Sequence, residues 1–122
     1  MTAEVRIIAW NVRGLNYPLK RGNVRWVLRK YSCDIAILLE SKLEEVSREI
    51  ILSLWGRPQV KWIFLPSVGR SGGIIIILDT QLVELVDSRV GVYSVCCILR
   101  SIEDNFIWGL ICLLYTSPSP RD

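Results

Sequence analysis

Two residues stand where chemistry could gather: Asn11, within Trp10-Asn11-Val12-Arg13-Gly14, and Glu40, within Leu39-Glu40-Ser41-Lys42. Each follows an apolar, β-branched run, Val5 to Trp10 and Asp34 to Leu39, so each sits just past a predicted strand. A carboxylate and an amide offer the hard oxygens and hydrogen bonds that a divalent cation or a phosphate requires. Other chemistries are excluded by composition. The chain has no histidine, which removes histidine general bases, Ser-His triads and histidine metal ligands together. Its cysteines, Cys33, Cys96, Cys97 and Cys112, have neither the C-x-x-C spacing of a zinc site nor the density of a disulfide framework, and read as buried free thiols of a reducing compartment. A site must be built from carboxylates, amides and hydroxyls. Each residue also has a simpler reading: Glu40 as a solvated charge at a strand end, and Asn11 as a turn former bonded to its own backbone.

The elements that would position these two residues follow from periodicity. After Pro18, the positions Val24, Val27, Leu28 and Tyr31 recur at helical spacing, while Lys20, Arg21, Arg25, Arg29 and Lys30 take the other face. Asp34 to Leu39 is a continuous apolar run, as expected of a strand covered on both faces. Strand, helix and strand with short links make a β-α-β unit, whose strands run parallel through a right-handed crossover. Asn11 and Glu40 then emerge at the same C-terminal edge, where open α/β sheets hold their ligands.

A second helix is expected from Leu43 to Leu54 with Ser41 as its cap, stopped by Gly56-Arg57-Pro58. Val60 to Leu65 and Ile74 to Leu78 read as strands around a glycine loop, Ser71-Gly72-Gly73. Leu82 to Val86, Val92 to Leu99 and Phe106 to Leu114 are further short β segments, with residues 101–105 as the last hairpin loop. The expected fold class is α/β, more fully α+β: a mixed sheet with helices on one face. Its other face lacks a partner layer in a chain this short, so Ile75, Ile77 and Val95 are expected to form an exposed apolar patch through which the chain self-associates.

Hydrophobic residues make up 51% of the 122 and charged residues 22%, a balance that buries a core rather than one that stays disordered. The net charge of +3 is compatible with a phosphate-bearing partner without demanding one. No apolar run approaches the ~20 residues that span a bilayer, and no leader opens the chain, so a soluble, intracellular protein with no membrane contact and no defined protein partner is expected.

Three stretches together resemble the endonuclease/exonuclease/phosphatase family: Trp10-Asn11-Val12-Arg13-Gly14, Leu39-Glu40-Ser41-Lys42, and Ser71-Gly72-Gly73 leading into a hydrophobic strand. Within it the chain looks most like the endonuclease domain at the front of plant non-LTR (LINE-type) retrotransposon polyproteins, in Leu43-Glu44-Glu45-Val46, Ser53-Leu54-Trp55-Gly56 and Phe64-Leu65-Pro66-Ser67 as well. The resemblance implies the N-terminal part of a DNase I-like β-sandwich and a Mg²⁺-dependent phosphodiesterase, with Mn²⁺ a substitute. It makes Glu40 the metal carboxylate and Asn11 a group that orients the metal's shell or the phosphate. Arg13, Lys42 and Ser71 become contacts to a nucleic-acid backbone, with solvated charges and a simple turn as their rival readings. One glutamate can suffice, because Mg²⁺ keeps several waters and takes phosphate oxygens.

This chain departs from the family at Leu39, where glutamine is usual, and at Leu78, where tryptophan is frequent. More seriously, the later Gly-Asp-Phe-Asn-type and Ser-Asp-His-type segments have no counterpart, and losing a water-activating base typically lowers rate by orders of magnitude. Residues 1–111 are therefore expected to form a partial domain. The stretch Cys112 to Asp122 resembles one reading frame of a sequencing-library adapter and reads as a non-domain tail. The full-length form is expected to nick DNA, in the nucleus if it serves a retroelement. The alternative is a catalytically dead copy that at most binds nucleic acid.

Overall fold

The computed structural model describes residues 4–69 and 72–114. Nine elements follow in order: β1 (Ile7–Asn11), α1 (Pro18–Lys30), β2 (Ile35–Leu39), α2 (Arg48–Trp55), β3 (Val60–Leu65), β4 (Ile74–Asp79), β5 (Val83–Val90), β6 (Ser94–Ser101) and β7 (Ile107–Leu113). They build two sheets, one ordered β1-β2-β4-β3 and one ordered β5-β6-β7. β1 and β2 are parallel, from Ile7 opposite Ile35 to Asn11 opposite Leu39. β4 runs antiparallel to both β2 and β3.

Side-chain alternation splits the core in two. Ala36 and Leu38 of β2 and Ile75 and Ile77 of β4 face the helices, where Val24, Leu28, Ile51, Leu54 and Trp55 cover them. Ile35, Ile37, Ile74, Ile76 and Leu78 point the other way and meet Val83, Val95, Cys97, Leu99 and Cys112 of the second sheet. β2 and β4 are thus covered on both faces, which is why both are unbroken apolar runs. Pro18 opens α1, its fixed φ suiting the first turn, and Arg29 and Lys30 close it where cations complement the helix dipole.

Three expectations are corrected. The apolar patch predicted at Ile75, Ile77 and Val95 does not exist, because all three are fully buried: Ile75 and Ile77 lie under the helices, and Val95 belongs to a second sheet that already packs on the other face of the first. The second helix begins at Arg48 under a Ser47 cap, with Ser47 Oγ accepting from the Ile50 N–H at 3.2 Å. Ser41 is no cap, because residues 41–43 are tied to neighbouring loops: Leu15 N donates to Ser41 O at 2.9 Å, Lys42 N to Gly72 O at 2.6 Å and Ser67 N to Leu43 O at 2.8 Å. Packing also continues past Ile111, where the sequence reading ended the domain. Trp108, Leu110 and Cys112 alternate inward along β7, and Cys112 and Leu114 are buried. The residues from Tyr115 onward lie outside the described residues.

All four thiols are free, and Cys33, Cys97 and Cys112 are buried. Burial pushes Cys33 up to about 11. Burial, with Cys112 and Cys96 nearby, pushes Cys97 up to about 11 as well. The unfolded chain then releases these protons first as pH rises, so the stability from burying neutral thiols is complete below about pH 9 and is lost between about 9 and 11. The unfolding free energy from urea titrations is expected to fall across that window by on the order of 1–2 kcal/mol per thiol. A Cys33→Ala, Cys97→Ala double variant should show a flatter alkaline limb, and an unchanged slope would contradict the account.

Candidate functional site

The parallel pairing of β1 and β2 brings their C-terminal ends side by side, and the chain there stays paired for several residues beyond the strands. Val12 N donates to Leu39 O at 3.0 Å, Gly14 N to Glu40 O at 2.7 Å, and Glu40 N to Gly73 O at 2.9 Å. Three loops are thereby joined: the one after β1, the one after β2 and the one before β4. Arg21 adds a clamp, donating to Leu15 O at 2.7 Å and to Ser53 Oγ at 3.1 Å, which ties the first loop to α2.

At this junction Asn11 Nδ2 donates to Glu40 Oε2. Asn11 Oδ1 accepts from the Arg13 N–H at 3.1 Å, the backbone turn its simpler reading foresaw. The amide therefore does both things at once, turning its own loop and holding the carboxylate. On the other side, Lys42 Nζ lies 3.6 Å from Glu40 Oε1. Arg13 and Lys42 are both exposed, and Lys42 sets a cation directly against the Glu40 carboxylate. Ser71 lies outside the described residues.

The backbone here is strained. Arg13, Glu40 and Lys42 have φ of 55°, 56° and 61°, a left-handed conformation that side-chain-bearing residues adopt rarely and that clusters at functional sites. Gly72 and Gly73 make it possible. A Cβ on Gly72 would lie 3.0 Å from Glu40 Cα and Cγ, and one on Gly73, whose φ is +83°, would lie 2.7 Å from Ser41 Oγ. The glycines thus set how closely the β4 loop approaches the carboxylate.

Sequence reading missed Ser41 and Arg21 as supports. Ser41 is fully buried, its Oγ donating to Gly72 O at 3.5 Å and accepting from Leu43 N at 3.3 Å. A serine flanked by charges gave no signal of burial, and Arg21 was one arginine among several on a polar helix face.

The donor set bears on the metal that the sequence resemblance implies. Among the described residues no group of three or more His, Cys, Asp or Glu comes together, and both Asn11 amide atoms are engaged within the protein. That leaves the Glu40 carboxylate, 37% exposed, as the anionic ligand. This fits a cation that keeps most of its waters and draws further oxygens from a phosphate, as Mg²⁺ does, and does not fit a closed protein cage.

No protein-family model matches the chain, and no curated protein matches it. Solved structures do. An AP endonuclease, LMAP, from Leishmania major superposes with a TM-score of 0.63 at 18% identity, over 93% of this chain and 40% of that one. A humanized TDP2 from D. rerio gives 0.57 at 18% identity, over 93% and 49%. D. rerio TDP2 complexed with a single-strand DNA product gives 0.54 at 19% identity, over 88% and 44%. The architecture is thus DNase I-like, and the chain spans between two fifths and half the length of these proteins. No helix among the described residues is long and apolar enough to cross a membrane.

Proposed function

We propose that this chain carries the metal-and-phosphate half of a DNA-nicking phosphodiesterase of the kind found in plant non-LTR retrotransposons, acting with Mg²⁺ or Mn²⁺ on nuclear DNA. The observation that carries the reading is the Asn11–Glu40 contact at the shared end of β1 and β2. The DNase I-like neighbours, an AP endonuclease and a TDP2 with a DNA product, support nucleic acid as the phosphate's source. When bound, the cation would neutralise charge on the scissile phosphate. Asn11 would hold Glu40 in place for it, and Arg13 and Lys42 would draw the backbone of the nucleic acid to the rim by counterion release. No histidine is available anywhere in the chain to activate water.

That last fact favours a second reading, a catalytically dead copy that binds nucleic acid without a cation. Fluorescence anisotropy of a labelled DNA duplex, with Mg²⁺ and with chelator, separates the two. The proposal expects Mg²⁺ to strengthen binding at constant ionic strength, and chelator-sensitive nicking of supercoiled plasmid would add that the chain turns over alone. Binding indifferent to Mg²⁺ selects the second reading, and absence of binding under both conditions rejects both.

A further inference from the structure

α1 carries Lys20, Arg21, Arg25, Arg29 and Lys30 and no acidic residue. Arg21 is engaged with Leu15 O and Ser53 Oγ. Arg25, Arg29 and Lys30 are exposed and enter no ion pair among the described residues. Part of their placement is structural. A Cβ on Gly56, the cap of α2, would stand 3.1 Å from Arg25 Cδ and 3.7 Å from Arg29 Nη1. Both side chains therefore cross the carbonyl end of α2, whose last turn has no cation of its own. Complementing a helix end does not account for the indole that stands among them.

Trp26 is 62% exposed and lies on the face of α1 turned away from the sheet, opposite Val24 and Leu28, which the helix buries. Helical side chains lean toward the N-terminus, so Trp26 reaches toward Gly22 one turn back. Lys30 in turn reaches over Trp26, with its Nζ 4.9 Å from the ring centre. A Cβ on Gly22 would meet nothing within 4 Å. Glycine is a poor helix former and no neighbour forbids a side chain here. Its effect is to leave a shallow depression of about 650 Å³, lined by Gly22, Arg25, Trp26, Arg29 and Lys30. An indole and three cations, with no carboxylate, thus border a space wide enough for a nucleobase.

We propose that this depression on α1 is a docking site for single-stranded DNA. An unpaired base stacks on Trp26, and Arg25, Arg29 and Lys30 hold the phosphates on either side of it. Stacking needs a free base face, which a duplex covers with its own neighbouring bases, so the site selects unpaired strands where cations alone would not. It needs no divalent cation. Trp26 to Lys30 form the last turns of α1, the end remote from the loop that leaves Asn11. The choice of DNA over RNA rests on the function proposed above, whereas the stacking and the charge complementarity stand without it.

Anisotropy of a short labelled oligothymidylate, titrated in chelator with the 122-residue chain, is the test. Binding is expected with a dissociation constant on the order of 10–100 µM at moderate salt. Its log–log salt slope should be about −2, from three phosphate contacts at roughly 0.7 each. Trp26→Ala should weaken binding about tenfold or more, and Trp26→Tyr much less, with melting unchanged because the side chain is exposed. Gly22→Leu keeps every charge and favours the helix, yet should also weaken binding by filling the depression. Arg89→Gln, which removes an exposed cation on β5, should leave binding as it is. Trp26→Ala should also leave the Mg²⁺-dependent part of duplex binding intact, so this site and the Glu40 site fail separately. No binding at any salt, a duplex bound as tightly, an RNA counterpart bound more tightly, or affinity indifferent to Trp26→Ala would overturn the proposal.

Discussion

Glu40→Gln is expected to abolish the Mg²⁺-dependent part of DNA binding, a loss on the order of tenfold to 100-fold at saturating cation. The substitution keeps the size of the side chain and an oxygen to accept from Asn11 Nδ2, but it removes the anionic donor on which the proposed cation site rests. A hard divalent cation bound by a single carboxylate has no substitute for that charge. The metal-free measurement should move the other way. Lys42, now held 3.6 Å from Glu40 Oε1, is released from its partner, and a negative charge near the incoming phosphates is gone, so binding in chelator should rise slightly. A Glu40 that is merely a solvated ion-pair partner would give the second change without the first. Because Glu40 is partly exposed, the melting temperature should stay nearly constant, which separates loss of cation from loss of fold. Anisotropy titrations of the parent and variant, each with Mg²⁺ and with chelator, supply all four numbers.

Gly73→Ala is expected to destabilise the chain by about 3–4 kcal/mol, combining a φ that alanine resists with overpacking. The added Cβ would stand 2.7 Å from Ser41 Oγ, 3.0 Å from Leu65 O and 3.2 Å from Ser67 N. Two of these three are backbone atoms and cannot swing aside as a flexible side chain would. Ser41 cannot retreat either, since it is buried and its backbone carbonyl holds Leu15 N. The strain would fall on the loop that joins Glu40 N to Gly73 O, so affinity for divalent cation should drop along with stability. Urea unfolding of the variant measures the first effect. A loss below about 1 kcal/mol would mean that the β4 loop relaxes more easily than its contacts imply.

Local pattern made much of this architecture legible. The β-α-β unit, the parallel pairing of its strands and the convergence of Asn11 and Glu40 on one edge all follow from period and link length, because a helix of fixed rise between two short connections leaves little choice of return path. The resemblance in Trp10 to Gly14 and Leu39 to Lys42 pointed to a DNase I-like sandwich, which is the architecture the solved neighbours share. The extent of α2 was misread because Leu43, Val46 and Ile50 continue its apolar period backwards. What ends the helix at Arg48 is a set of hydrogen bonds to loops distant in sequence, and periodicity cannot register them.

The sequence by itself determined which residues are apolar, where chain direction reverses, and that any site here rests on oxygen and amide groups, since composition and short-range spacing are local properties. Only the tertiary structure decided that β5, β6 and β7 fold back over β3 and β4 to bury Ile76 and Val95. It also decided that Ser41 is a buried strut and that Asn11 serves Glu40 through its amide N–H. Those outcomes depend on which surfaces meet across the fold, and a surface acquires its partner only when residues far apart in the chain compete for the same contact and one arrangement buries more apolar area at lower strain.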